Sequence, residues 1–269
     1  MIKLIAKFLG LISKRRKSYG IKFDKFPLLI SKDTIDERDR VLKVESDEIF
    51  MPEFIDYSEF VPPIKYQGLI GSCGSHAAIT GIETLLRMKK QKWNYPLSEM
   101  YHYWLVRREE YMNTFPADSG QTGREAMKVI KAIGAVPETV YPYQPVYFND
   151  GPSMSLFAKS VAKYWKISLY ERCYSVDSIK KALIKEAVVW LGVPVNKSIF
   201  KYKTGILNFN KKDGSAGGHA MLIIGYDDNK KAFKVANSWG LSWGKKGYGW
   251  IGYDYFYNCD WFDAWSFDL

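Results

Sequence analysis

The chain has 269 residues, 47% of them hydrophobic and 25% charged, enough for one large domain or two small lobes. Its three cysteines, Cys73, Cys173 and Cys259, leave at most one bridge beside a free thiol, which argues against a secreted enzyme stapled by several disulfides and favours a reducing compartment. The net charge of +10 is uneven: Met1 to Lys22 holds seven Lys or Arg and no acid, while the rest mixes signs without a nucleic-acid-binding signature, so no nucleic-acid partner is expected.

Met1 to Ile12 reads as an amphipathic helix, with Ile2, Leu4, Ile5, Phe8, Leu9, Leu11 and Ile12 on one side. The basic cluster Lys14 to Lys17 follows, and Lys7 interrupts the apolar stretch, unlike a signal peptide. Residues 1–18 therefore suit a membrane interface or a partner protein, with Met1 to Lys17 as the contact. Residues 19–50 form a charged arm or strap. Residues 51–269 form the main domain, in which no apolar stretch spans a bilayer.

Gly74 to Lys90 reads as a helix, with Ile79, Ile82, Leu85 and Leu86 at helical spacing. Ser98 is placed to cap a second helix, Arg124 to Ile133 forms a third, and Asp177 or Ser178 starts a shorter one. Lys166–Tyr174, Val188–Val195, Ala220–Tyr226, Ala232–Ala236 and Tyr248–Tyr253 read as strands between Gly, Asn and Asp turns. A helical front (about 68–160) and a β-rich back (about 161–269) predict an α+β fold of two lobes with a cleft between them.

Four residues carry the chemistry. Cys73 opens a helical run, where the positive end of the dipole favours a thiolate. His219 lies in the β-rich part and would serve as its base, with Asn237 orienting the imidazole and Trp239 shielding that contact. Gln67, six residues before Cys73, would donate to an oxyanion together with the Cys73 backbone N–H. Cys73-x-x-His76 lacks a second Cys/His cluster, so neither a metal nor a cofactor is expected. His76 and His102 read as helix-packing residues, and Glu83 with Arg107 as a candidate buried ion pair. Cys173 and Cys259 read most simply as separate reduced thiols.

These residues resemble the papain family of cysteine peptidases. Gln67 with Cys73 and Ala77 to Glu83 is similar to the family's nucleophile helix. His219-Ala220 with Ile224-Gly225-Tyr226 is similar to its histidine strand, and Asn237-Ser238-Trp239-Gly240 with Trp243-Gly244 to its asparagine segment. Tyr141-Pro142-Tyr143 is a further match. His219 falls within the roughly 130–150 residues downstream of the nucleophile known for such enzymes, and Asn237 a little beyond.

The resemblance implies a papain-like two-lobe fold, with a helical lobe and an antiparallel β-barrel-like lobe. It implies a thiol endopeptidase that cuts polypeptides through an acyl-enzyme thioester. By the same resemblance Ser119 and Gly120 would pair with substrate backbone, Thr122, Gly123 and Ala220 would border the main specificity pocket, and Gly218 and Trp239 would line the cleft. Asp36 to Asp39 and Asp118-Ser119-Gly120 look closer to the bacterial and phage branch, and a cytoplasmic or virion-associated location is expected.

Two departures stand out. Gly74 replaces an aromatic residue, predicting a more open cleft rim, and Ile70 replaces a flanking cysteine. About 50 residues precede the match, and the long inhibitory prosegment of the lysosomal enzymes is not expected. Two other functions use the same fold: a structural component of an assembly such as a phage particle, and a thioester acyltransferase.

Overall fold

The computed structural model describes residues 26–43, 50–91, 95–111, 113–144 and 156–269. The amphipathic stretch Met1 to Ile12, the basic cluster after it and part of the 19–50 arm lie outside them. Strand β1 (Phe54–Asp56) comes first, followed by helices α1 (Cys73–Met88), α2 (Glu99–Glu110) and α3 (Gly123–Ala132). The remainder alternates: α4 (Leu156–Ala162), β2 (Leu169–Cys173), α5 (Val176–Ile184), β3 (Val188–Asn196), β4 (Ser215–Asp227), β5 (Ala232–Ala236), β6 (Tyr248–Gly252), α6 (Tyr253–Asn258) and β7 (Asp263–Asp268).

The strands form one antiparallel sheet in the order β2-β7-β3-β4-β5-β6, with β1 on β4. Strand β3 is almost wholly apolar because both of its faces are covered. Val188 and Trp190 join α1 and α3 in one core, whereas Val189, Leu191, Val193 and Val195 point into a second core inside the β lobe. Ala220, Leu222 and Ile224 of β4 alternate in the same way with Met221 and Ile223. A third cluster, built on Tyr101, Leu105 and Val129, fills the helical lobe. The first core therefore joins the two lobes, and it contains Cys73. No helix among the described residues is long and apolar enough to cross a membrane.

The helix ends follow their local chemistry. Ser98 caps α2 by accepting from the Tyr101 N–H at 3.0 Å, as the sequence suggests. Helix α5 is capped by Ser175 rather than by Asp177 or Ser178, because Ser175 and Ser178 form a reciprocal capping pair.

The expected Glu83–Arg107 pair does not form. Glu83 instead accepts from Lys65 at 2.9 Å, and the same ammonium also meets Glu99. Glu83 and Glu99 are buried and Lys65 is partly so, and although burial works against the Lys65 charge, the two carboxylates hold its pKa above the usual lysine range. Arg107 turns the other way and donates to the Gly120 carbonyl at 2.8 Å and to Thr114 at 2.6 Å. Lys65→Met would leave two buried carboxylates without a counter-ion. It is expected to cost about 3–5 kcal/mol, read as a lower urea midpoint at unchanged slope. A loss below about 1 kcal/mol, the worth of an exposed pair, would show that the triad does not brace the fold.

Candidate active site

Cys73 is the first residue of α1 and is fully buried. Backbone N–H groups near its sulfur, that of Ala220 on β4 first and then those of Gly74 and Cys73, favour the thiolate. Burial nevertheless dominates and pushes the thiol up to about 12. His219, the neighbour of Ala220 on β4, is equally buried, and burial pulls its pKa down to about 4 against the hydrogen bond it donates to Asn237. Burial thus favours the neutral thiol at Cys73 and the neutral imidazole at His219.

The imidazole is fixed from behind. Its Nε2 lies 2.8 Å from Asn237 Oδ1, which also accepts from the Ser238 N–H at 2.7 Å. With Nε2 protonated toward the amide oxygen, Nδ1 is left as the acceptor, and it has no hydrogen-bond partner among the described residues. The Trp239 ring packs on the imidazole at 4.5 Å. Asn237 in turn is held by its own N–H, which donates to the Gly247 carbonyl at 3.0 Å.

Gln67 is tied to the same segment. Its N–H donates to the Ser238 carbonyl at 2.9 Å, and its Oε1 accepts from the Ser238 hydroxyl at 2.7 Å. That acceptor fixes which end of the amide is which. Nε2 then faces the loop before Cys73 and spends one of its two hydrogens on the Ile70 carbonyl at 3.0 Å. The Tyr143 hydroxyl donates to the Gln67 carbonyl at 2.7 Å, so the Tyr141-Pro142-Tyr143 landmark braces this loop.

The other sequence candidates divide. Gly120, Gly218 and Trp239 line the trough beside Cys73, where they meet the arm described below. Ser119 is exposed and its hydroxyl accepts from Arg107. Thr122 caps α3 in a capping box with Glu125, and Gly123 packs beneath Trp190 and Trp265. Gly74 does not open the rim: it is buried, and a Cβ there would lie 2.6 Å from Gln121 Nε2. The Gln121 side chain occupies the room an aromatic residue would need. His76 and His102 are buried packing residues: His76 Nδ1 lies 3.0 Å from the Ser72 carbonyl, and His102 bridges Ser75 and the Ala126 carbonyl. Cys173 and Cys259 are both free.

A segment of the N-terminal arm crosses this site. The Gly218 N–H donates to the Leu28 carbonyl at 3.2 Å, the Ile30 N–H to the Gly218 carbonyl at 3.1 Å, and the Ser31 N–H to the Gln121 carbonyl at 3.3 Å. Leu28 to Ser31 is therefore strung between the two lobes like an added strand. The approach is close enough to require glycine on both sides. A Cβ at Gly218 would lie 1.9 Å from the Ile30 carbonyl oxygen, and one at Gly120, whose φ is +75°, would lie 1.9 Å from that of Leu29. Phe26 stacks on Trp239 at 5.0 Å, and the Ile30 side chain is buried over Gly192 next to Trp190.

Beyond the trough the arm is pinned by charge. Asp33 is buried; it accepts from the Arg124 N–H at 3.1 Å and from Trp265 Nε1 at 2.8 Å, while its own N–H donates to Asp263 at 2.7 Å. Asp39 takes Arg124 Nη2 at 2.6 Å and Arg172 Nη1 at 3.2 Å, and Arg172 also pairs with Asp263. Sequence reading passed over Arg124, Arg172, Trp190 and Gln121. The one available signal was the acidic Asp36 to Asp39 element, which needs buried cations opposite it.

Known proteins share this plan. The family model for papain family cysteine protease matches residues 51–267. An uncharacterised peptidase C1-like protein of Acanthamoeba polyphaga mimivirus is 32% identical over 202 residues, which is 70% of this chain and 64% of that protein. Cathepsin S of Mus musculus is 27% identical over 203 residues, 74% of this chain and 58% of the relative. The chain thus spans less than two thirds of the length of either. Among solved structures, xylellain, a cysteine protease from Xylella fastidiosa, superposes with a TM-score of 0.79 at 29% identity, covering 96% of this chain and 99% of that one. Digestive procathepsin L 3 of Tenebrio molitor matches with a TM-score of 0.69 at 22% identity, over 98% and 79%, a likeness of fold. The matched residues include α1, β4 and the Asn237 segment. The chain belongs to the papain family of cysteine proteases.

Proposed function

We propose that this chain is a thiol endopeptidase kept latent by its own arm. Cys73 is the nucleophile, His219 the base and later the acid, Asn237 the group that orients His219, and Gln67 with the Cys73 N–H the oxyanion donors. The observation that carries this reading is the convergence of a helix-start thiol, an imidazole with one nitrogen bound to Asn237 and the other without a partner among the described residues, and a backbone segment bonded to Gly218 and Gln121 beside them.

Release of residues 26–31 exposes the backbone of Gly218 and Gln121 to a polypeptide in place of the arm, and admits water to the thiol–imidazole pair. Proton transfer from Cys73 to His219 then gives the thiolate. It adds to the scissile carbonyl, His219 returns the proton to the departing amine, and water resolves the thioester. The bacterial branch is the part of the family we assign, on the strength of the xylellain likeness and the Asp36 to Asp39 element that pins the arm.

The oxyanion role is open to a direct test in a chain unlatched by Asp33→Ala with Asp39→Ala. There, Gln67→Ala is expected to lower kcat by about 10²–10³ with little change in KM. A loss smaller than tenfold would remove Gln67 from the chemistry and leave it as a brace for Ser238.

A further inference from the structure

The side of the cleft that receives the leaving half of a substrate is fixed by proton delivery. His219 must reach the departing amine, so the chain beyond the scissile bond passes over His219 and over Trp239, which packs on it. Phe200 stacks on Trp239 at 5.6 Å. Phe200 belongs to the 3-10 turn Lys197–Lys201, and that turn walls a surface pocket of about 490 Å³. Lys197, Lys201 and Lys203 line it with Tyr202 and Leu207, and Asp213 is the single acid among the described residues that line it. Lys203 donates to the Ser242 carbonyl at 2.8 Å, which ties the wall to the loop that follows Trp239.

The charges here are not balanced. Asp213 accepts from the Ser198 N–H at 2.7 Å, and this contact first, then Lys197 and Lys201, holds its carboxyl below the usual range. Among the described residues, Lys197 and Lys201 form no ion pair. The Lys197 and Lys201 ammonium groups thus face one occupied carboxylate around an open cavity. The chain's own N-terminal residues have the wrong sign to fill it, since Met1 to Lys25 contains eight Lys or Arg and a single Asp. An anionic occupant is favoured by Coulomb attraction and by relief of like-charge repulsion.

We infer that this pocket is a substrate subsite for acidic side chains on the leaving side of the scissile bond. At about 3.3 Å per extended residue, the step from Trp239 past Phe200 places such a side chain about two to four residues after the cut. The substrate class is therefore a polypeptide that is acidic just beyond its cleavage site. The assignment of the pocket to the leaving side rests on the proposed function; the preference for anions does not.

Two readouts separate those parts. The first is binding to the intact chain, where Lys197, Lys201 and Lys203 are exposed with the arm in place. The peptide Gly-Glu-Glu-Gly is compared with Gly-Gln-Gln-Gly by NMR titration at low salt. The acidic peptide is expected to bind at least about tenfold more tightly, with the difference fading near 0.5 M salt and lost in Lys197→Glu/Lys201→Glu. Equal binding, or no effect of the double substitution, would overturn the anion site.

The second readout is kcat/KM in the unlatched chain, for fluorogenic peptides that differ only in Glu or Lys three residues after the cut. Glu is expected to win by about tenfold, with the order reversed by Lys197→Glu/Lys201→Glu. A short substrate with only a fluorophore as leaving group should be cut equally by both forms of the enzyme. Cleavage of the short substrate without a Glu preference would overturn the subsite and keep the peptidase. Binding of the acidic peptide with no cleavage of any substrate would overturn the peptidase and the leaving-side assignment together.

Discussion

Cys73→Ala is expected to lower peptide hydrolysis by the unlatched chain by on the order of 10⁶ in kcat, the scale on which loss of an activated nucleophile acts. The reason is local. No other thiol lies near the imidazole, because Cys173 sits in the β-lobe core and Cys259 against the carbonyl of Trp261. His219→Ala should cost about as much, and the double replacement scarcely more, since thiol and imidazole act as one unit. Asn237→Ala should cost less, because Asn237 orients the ring and takes no proton. Single-turnover kinetics with a fluorogenic peptide read all four. Residual activity within tenfold of the parent in Cys73→Ala would place the chemistry elsewhere.

Unlatching the arm is expected to raise the rate at which an epoxysuccinyl inhibitor labels Cys73 by about a hundredfold. The arm is held by backbone hydrogen bonds at Gly218 and Gln121, by the buried Ile30 side chain, and by Asp33 and Asp39 against Arg124, Arg172 and Trp265. Arg172 and Asp39 are nearly inaccessible, so removing one partner there acts on a desolvated pair. A loss of even about 3 kcal/mol multiplies the open population by about 150. Arg38→Ala is the control, because its pair with Asp36 is exposed and such pairs contribute little. Opening also removes the largest cause of the raised Cys73 pKa, namely burial. The labelling profile of Asp33→Ala/Asp39→Ala should therefore move to lower pH than that of the parent chain. Equal rates for the parent, Arg38→Ala and Asp33→Ala/Asp39→Ala would mean that the arm does not govern access.

Legibility in the sequence followed the range of the interaction. Ala232–Ala236 reads correctly as a strand because buried Phe233 and Val235 alternate with the partly exposed Lys234. Val188–Val195 reads correctly because an apolar run with no charge can only be a strand covered on both faces. Strand β7 was missed: Ala264, Trp265, Ser266 and Phe267 carry the right residues, yet aromatics suit any core and no turn marks the start. Strand β4 begins earlier than expected because Gly217 and Gly218 look like a turn. Their lack of side chains serves the arm, which passes against them.

Contacts far apart in sequence were out of reach. Gln121 fills the space at Gly74 from 47 residues away, so the expectation of an open rim failed. Glu83 found Lys65 rather than Arg107 because charge type does not say which helix faces face each other. The arm left two readings, a brace on the back of the fold or a strip across the cleft. Only the backbone bonds to Gly218 and Gln121 separate them.

The central claim is that Cys73 is a nucleophile closed off by the chain's own residues 26–31. Mass spectrometry after brief exposure to an epoxysuccinyl inhibitor tests it in one measurement, on the parent chain beside Asp33→Ala/Asp39→Ala. The account predicts a single adduct, on the peptide containing Cys73, formed slowly in the parent and about a hundredfold faster in the unlatched chain. No adduct on Cys73 in a folded, unlatched chain would contradict it.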